Sequence, residues 1–204
     1  MKLYYAPGAC SMAPHIVLCE AGYSFDLEKV DVPNKKTASG ADYWKVNPKG
    51  YVPTLQLDDG QILTEASVIC QYLADQKPAA GLAPKYGTFE RYRLMEWLNF
   101  TAAEIHKSLG AFFAFKGKMA GEWRDAQLGL VGHRFDALEK MIDGNQYVMG
   151  DKFSIGDAYL FTVLNWTHFH NIDVAKWPNI KAYMARVAAR PKVREAMKAE
   201  GLVS

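Results

Sequence analysis

A chain of 204 residues, half of them apolar and 23% charged, is long enough for one large domain or two small ones around a packed core. Its 24 basic and 22 acidic residues leave a formal charge of only +2, too weak a field for nucleic acid or an anionic membrane surface as main partner. No apolar run approaches the roughly 20 residues of a membrane helix, and Pro7, Gly8, Ser11, Pro14 and His15 interrupt the opening stretch before a secretory signal can form. Cys10, Cys19 and Cys70 are an odd, sparse set without zinc spacing. They read as reduced thiols in a cytoplasmic protein that holds no metal.

Lys2–Tyr5 is a short β-prone start followed by a turn through Pro7-Gly8. Met12–Ala21 has helical spacing, and Phe25–Val32 alternates as a second strand. Ser39–Val46 reads as a short helix closed by the turn Asn47-Pro48-Lys49-Gly50. Val52–Leu57 and Gln61–Leu63 flank Asp58-Asp59-Gly60 as a β-hairpin, and Glu65–Asp75 is helical until Pro78 stops it. The order is βαβαββα. Lys77–Gly87 carries two prolines and two glycines and reads as a linker.

Beyond residue 88 the signal is helical only. Leu128, Val131, Phe135, Leu138 and Ile142 form one stripe. Ser154 has the form of an N-cap with Asp157 three positions later, opening the apolar run Ala158–Trp166. Pro178 and Pro191 stand where two further helices begin. The fold class is thus an α/β domain (1–77), a linker (78–87) and an all-α domain (88–204).

Cys10 follows strand and turn at the start of a predicted helix, where free N–H groups and the positive dipole end favour a thiolate. The bland reading is a small buried hydrophobe, as for Cys19 and Cys70. Position three beyond Cys10 is Ala13, so a CxxC dithiol is excluded and disulfide chemistry needs an external thiol. Val52-Pro53 opens a strand. A trans bond is the commoner expectation, whereas a cis one would serve a peptide-like ligand pairing with Val52. Thr64-Glu65-Ala66-Ser67 stands at a helix entrance, where free amides suit a carboxylate and Glu65 an ammonium. Ordinary capping by Thr64 is the commoner use of such residues. Asn99, Ala103, His106 and Gly110 are spaced +4, +3, +4 and fall on one helical face. His106-Lys107 offers hydrogen bonding and positive potential, against the plain alternative of a satisfied interior histidine.

Together these residues resemble the glutathione transferase superfamily, most closely its bacterial beta class. The likeness runs the whole chain: KLYYAPGACSMAPHI, NPKGYVPTLQLDDGQILTEASVICQYLAD, WLNFTAAEIHK and FSIGDAYLF occur in the family's order and spacing. It implies a thioredoxin-like domain followed by a helical domain, and glutathione as co-substrate, transferred to small hydrophobic electrophiles. Thiol-disulfide exchange, peroxidase or dehalogenase chemistry is the implied side activity.

The resemblance assigns Cys10 to the glutathione sulfur, with Ser11 and Tyr5 as alternative activators and His106 beside it. Val52, before the family's cis-proline Pro53, would pair with the cysteinyl unit. Glu65, Ala66 and Ser67 would hold the γ-glutamyl head, and Lys35 the glycyl carboxylate. Asn99, Ala103 and Glu104 would stand at the ligand, the first and last reaching a partner subunit's site in a homodimer. Lys107, Phe113, Trp166 and His168 would line the electrophile pocket. One departure is that many members carry Ser where this chain has Ala66, which removes a hydroxyl contact.

Overall fold

The computed structural model describes residues 1–115, 118 and 120–204. Strands β1 (Lys2–Tyr5), β2 (Asp26–Asp31), β3 (Lys36–Thr37), β4 (Thr54–Gln56) and β5 (Ile62–Thr64) form one sheet in the order β3-β2-β1-β4-β5. β1 runs parallel to β2, and the remaining pairs are antiparallel. Leu27, Leu3, Leu55 and Leu63 fall in one register row across four strands. With a period of two, that row faces one side of the sheet, where Leu3 and Leu55 are fully buried. Helices α1 (Met12–Glu20) and α2 (Ala66–Gln76) share that core. Tyr4, Val30, Tyr43 and Val52 form a smaller cluster of their own.

Two expectations change here. The edge strand β3 carries no sequence signal at two residues long. The helix expected over Ser39–Val46 is a single 3-10 turn, Tyr43–Lys45, capped by the Asp42 carboxylate accepting from Trp44 N. Gly40, at φ +88°, breaks the segment, and what remains is too short to nucleate an α-helix. The hairpin is found, but its paired part begins at Thr54, because Pro53 has no N–H to offer the ladder. Its turn glycine, Gly60, sits at φ +86°.

The remaining helices are α3 (Phe89–Phe100), α4 (Lys107–Ala114), α5 (Gly121–Met141), α6 (Ile155–Leu164), α7 (Trp166–His170), α8 (Pro178–Ala188) and α9 (Pro191–Ala199). All residues of α6 are buried. It starts at a capping box: Ser154 Oγ accepts from Gly156 N, while Asp157 accepts from the Ser154 N–H and hydroxyl, Val148 N and Tyr183 Oη. The stripe on α5 is buried at Val131, Phe135 and Leu138, and continues to Ile142 beyond its end. One continuous core joins α1 and α2 to α6 and α9. The stretch after α2 is no loose tether: Pro78–Ala80 forms a 3-10 turn, Leu82 is buried, and its carbonyl accepts from Ile155 N.

Between α3 and α4, Thr101–His106 is wound as a π-helix. The three pieces form one rod carrying a wider turn. The +4, +3, +4 spacing assumed 3.6 residues per turn throughout, so the π segment rotates Asn99 and Ala103 away from the face that carries His106 and Gly110.

Candidate active site

A cleft of about 700 Å³ opens between the sheet half and α4. Cys10, Val52, Pro53, Glu65, Ala66, His106, Lys107 and Gly110 line it, and so do Lys49, Tyr51, Phe115 and Tyr159, which the sequence reading did not single out as site residues.

Cys10 sits one residue before the N-cap Ser11 of α1, and its Sγ donates to the Val52 carbonyl at 3.2 Å. Desolvation runs against the expected thiolate there. Burial pushes the thiol up to about 12, outweighing the nearby N–H groups of Cys10 and Ser11 and the more distant Lys107 ammonium. Cys19 and Cys70 are buried, and burial pushes Cys19 up to about 12 as well.

Neither alternative activator reaches the cleft. The Ser11 hydroxyl is fully buried, bonded to both N–H and carbonyl of Ala6, and closes the turn behind Cys10. Tyr5 packs toward His15, with ring centroids 6.3 Å apart, and is no part of the cleft wall. Burial, then the Glu200 charge, raises its phenol.

The turn leading to Cys10 is gripped from the helical half. Gly8 N–H donates to Glu200 Oε2 at 2.8 Å, and Trp166 Nε1 donates to the Gly8 carbonyl at 2.8 Å. Glu200 Oε1 also meets His15 Nδ1 at 2.9 Å. Gly8 has φ +70°, which favours glycine, and a Cβ there would crowd the Phe169 ring at 3.0 Å. Trp166, expected in the electrophile pocket, is instead buried as this clamp.

The Val52-Pro53 bond is cis, against the commoner trans expectation. Facing it, Glu65 is the N-cap of α2 in a left-handed conformation, φ +73°, and its side chain makes no cap bond. Capping by Thr64 is therefore not what this segment does. The Glu65 carboxylate turns outward to Lys49 Nζ at 2.6 Å, and Lys49 also donates to Thr64 Oγ1. Both side chains of this pair are more than half exposed, so the contact is weak and open to exchange with another ammonium. The Glu65 carbonyl takes the Val68 and Ile69 amides, which leaves those of Ala66 and Ser67 outside the helical ladder at the cleft edge. Ser67 is half-buried away from the lining, so it does not replace the hydroxyl missing at Ala66. Lys35 donates to the Gly50 carbonyl at 2.7 Å, between the Trp44 and Tyr51 rings, and is not in the wall either.

On the opposite wall, the π turn presents His106. Its Nδ1 meets Tyr159 Oη at 2.7 Å, and its ring stands edge-on to Trp166 with centroids 4.8 Å apart. Burial, reinforced by Lys107, holds the imidazole down to about 4. His106 is thus neutral near pH 7, and the positive potential expected from the pair comes from Lys107 alone. Asn99 and Ala103 are exposed off the cleft, and Glu104 is ion-paired with Arg134. Phe113 stacks on Trp166 and His170, and His168 is exposed; both lie outside the wall. In their place Gly110, Ala111, Ala114 and Phe115 line the outer half. Among the described residues no cluster of metal-ligating side chains occurs, and no helix is long and apolar enough to cross a membrane.

A mixed five-stranded sheet with a cis-proline beside a cysteine turn, joined to a helical bundle across a cleft, is the thioredoxin-like plus helical architecture. Comparison with known proteins agrees. The family models for the glutathione S-transferase N-terminal and C-terminal domains match residues 8–76 and 105–191. The chain is 41% identical over 202 residues to glutathione S-transferase GstA of Escherichia coli O157:H7, covering 99% of this chain and 100% of that one. A glutathione transferase structure from Methylococcus capsulatus is 58% identical, with a TM-score of 0.95 and 99% of each chain covered. A bacterial beta class glutathione S-transferase from Sphingomonas chungbukensis is 46% identical, with a TM-score of 0.93 over the whole of both chains. The chain belongs to the glutathione S-transferase family and is an enzyme of that class.

Proposed function

We propose that the cleft binds glutathione with its sulfur between Cys10 and His106 and conjugates it to small hydrophobic electrophiles. The observation carrying this is the convergence on one cleft of Cys10, Val52, the amide end of α2 with Glu65, and His106. The Val52 N–H, without an acceptor among the described residues, suits the cysteinyl unit of an extended peptide. Glu65 and the Ala66 amide suit the ammonium and carboxylate of the γ-glutamyl head. Lys49 exchanges its place on Glu65 for the ligand's ammonium. The sheet half (1–77) supplies the thiol site, and the helical half (88–204) supplies the electrophile wall.

In conjugation the glutathione thiolate attacks the electrophilic carbon, forms the C–S bond and expels the leaving group with its electron pair. Cys10, a neutral thiol, turns its single S–H from the Val52 carbonyl to that sulfur. Thiol exchange is the accompanying activity: Cys10 gives up its proton, attacks a glutathionyl disulfide and releases the other thiolate, which takes the proton; a second glutathione thiolate then attacks the mixed disulfide, leaves as oxidised glutathione and frees Cys10. The protonated state of Cys10 favours conjugation as the main activity.

The enzyme works as a homodimer through the face where Val68 of α2 and Phe89, Tyr92 and Met95 of α3 lie exposed. Its free thiols suit the cytoplasm.

Calorimetric titration of reduced glutathione into the reduced protein tests the reading. One saturable site per chain is expected, and no saturation at millimolar ligand would overturn it. Cys10→Ala is expected to keep conjugation of a halo-nitroaromatic within about 10-fold, the worth of one hydrogen bond. The same variant is expected to abolish exchange on a glutathionylated peptide.

A further inference from the structure

Tyr159 is a buried titratable group at the cleft that the reading above does not use. It projects from α6, whose start is fixed by the capping box, and its hydroxyl lies 2.7 Å from His106 Nδ1 with the two rings edge to face. The imidazole nitrogen left for the cleft is Nε2, which has no protein partner among the described residues. We propose that Tyr159 is a positioning residue which fixes His106 as the Nε2–H tautomer, so that the imidazole offers the bound sulfur a hydrogen-bond donor and not a base.

The argument is one of donor and acceptor accounting. A neutral imidazole carries one proton and one lone pair, and a phenol always carries a proton that needs an acceptor once buried. If His106 donated from Nδ1, the phenolic proton would have no acceptor among the described residues. If the phenol donates, Nδ1 accepts, and both groups are satisfied by one bond. Burial raises the Tyr159 phenol strongly and depresses His106, so neither group gives up this arrangement near neutral pH. A thiolate beside Nε2–H is then stabilised by a fixed dipole, with no charge first placed on the ring. The aligned tautomer follows from the buried α6 frame, as a ligating histidine's does from the partner of its other nitrogen.

This inference rests on the reading that places the sulfur beside His106, but its first test does not need the ligand. Long-range proton–nitrogen correlation spectra of histidine-labelled protein, with His106 assigned through His106→Gln, report which nitrogen is protonated. The expected result is Nε2 protonated and Nδ1 accepting, with Tyr159→Phe turning that signature into a tautomer mixture. A protonated Nδ1 in the unsubstituted protein overturns the proposal, and that measurement stands even if Tyr159→Phe fails to fold.

The functional arm follows the bound thiolate by its ultraviolet absorbance against pH. Cys10, Glu65 and Lys107 also face this position, and Cys70 faces Tyr159, so the comparison is made between Tyr159→Phe and its parent with all four unchanged. The variant is expected to titrate the bound thiol at higher pH and to lose about 5–10-fold in kcat, the value of one hydrogen bond. Its Kd for glutathione is expected to stay within about 3-fold, because His106 meets only the sulfur. An unchanged titration and kcat in a folded variant overturns the proposal. Failure of the parent to bind glutathione overturns the reading of the cleft instead, and leaves the tautomer result standing.

Discussion

Glu200 is the side chain whose removal should be felt most widely. It lies after the last helix, its side chain has no exposure, and it holds two groups of the other half of the molecule. Glu200→Ala leaves the Gly8 N–H without its acceptor and His15 without its partner, both in the interior. An unsatisfied buried donor costs about 1–3 kcal/mol. His15 Nδ1 loses its buried partner at a similar cost. The two losses share one side chain and do not simply add, so about 3–5 kcal/mol is expected. At about 2–4 °C per kcal/mol for a chain of this length, the melting temperature falls by about 6–20 °C. The assay is calorimetric melting and urea unfolding at one fixed protein concentration, because oligomerisation makes the midpoint concentration-dependent. Glu200→Gln is the control. Its carbonyl can still accept from Gly8, and its amide can donate to His15 Nδ1, so it should recover more than half of the loss. A Glu200→Ala variant less than about 1 kcal/mol below its parent would behave as a surface substitution does, and the clamp would carry no weight.

The outer wall and the pH profile yield two further expectations. A Cβ at Gly110 would meet His106 Cδ2 at 3.6 Å and Trp166 Cζ3 at 3.8 Å, ordinary contact distances. Gly110→Ala should therefore fold normally and gain about 0.5–1 kcal/mol of helix propensity. Steady-state kinetics should show a raised KM for bulky electrophiles with glutathione affinity unchanged; equal KM for small and bulky electrophiles would show that the wall does not select. His106, held at about 4 against an ordinary 6.5, contributes stability that is complete above pH 6.5 and lost as the pH falls through 4. That is roughly 3 kcal/mol at 1.36 kcal/mol per unit. Asp157, pushed up to about 6 chiefly by burial, acts the other way: its contribution is present below its ordinary 3.8 and lost as the pH rises through 6. The two slopes oppose each other in the same window. His106→Gln should unmask the second, so that urea-derived stability falls more steeply from pH 4 to 6 than in the parent; parallel profiles would refute the assignment to His106.

The elements that could be read from the sequence are those whose signal is local. The Asp58-Asp59-Gly60 turn needs only its glycine at positive φ, and the Ser154 cap needs only a hydroxyl and a carboxylate three residues apart. The stripe on α5 needs only its spacing. Cys10, Val52 and Glu65 are legible as candidates for a related reason: each stands beside a turn or helix end, where chain order fixes position, whereas His106 is read from a helical spacing that the π turn breaks. The misses are tertiary. Glu200 and Gly8 are 192 residues apart, and no spacing rule joins them. The resemblance puts Trp166 and Phe113 in the pocket, yet one bonds a backbone carbonyl and the other stands edge-on to the first behind the wall. Tyr159 sits inside an apolar run that reads as core, and only the fold reveals that His106 Nδ1 is the hydrogen-bond partner its hydroxyl finds among the described residues.

The electrostatics of the cleft follow the same division. A helix start near Cys10 argues for a thiolate, and a histidine followed by lysine argues for positive potential. Each is a statement about neighbours in sequence. Desolvation is a statement about neighbours in space, and at both residues it is the larger effect. The cleft thus presents a neutral thiol and a neutral imidazole, with Lys107 a cation of its lining and Lys49 engaged by Glu65. Such a site gains most from a ligand that brings its own negative sulfur. A neutral imidazole and a thiol that can turn from the Val52 carbonyl can meet that charge without first giving up one of their own, and the acidity of the ligand's thiol then becomes the quantity that the cleft adjusts.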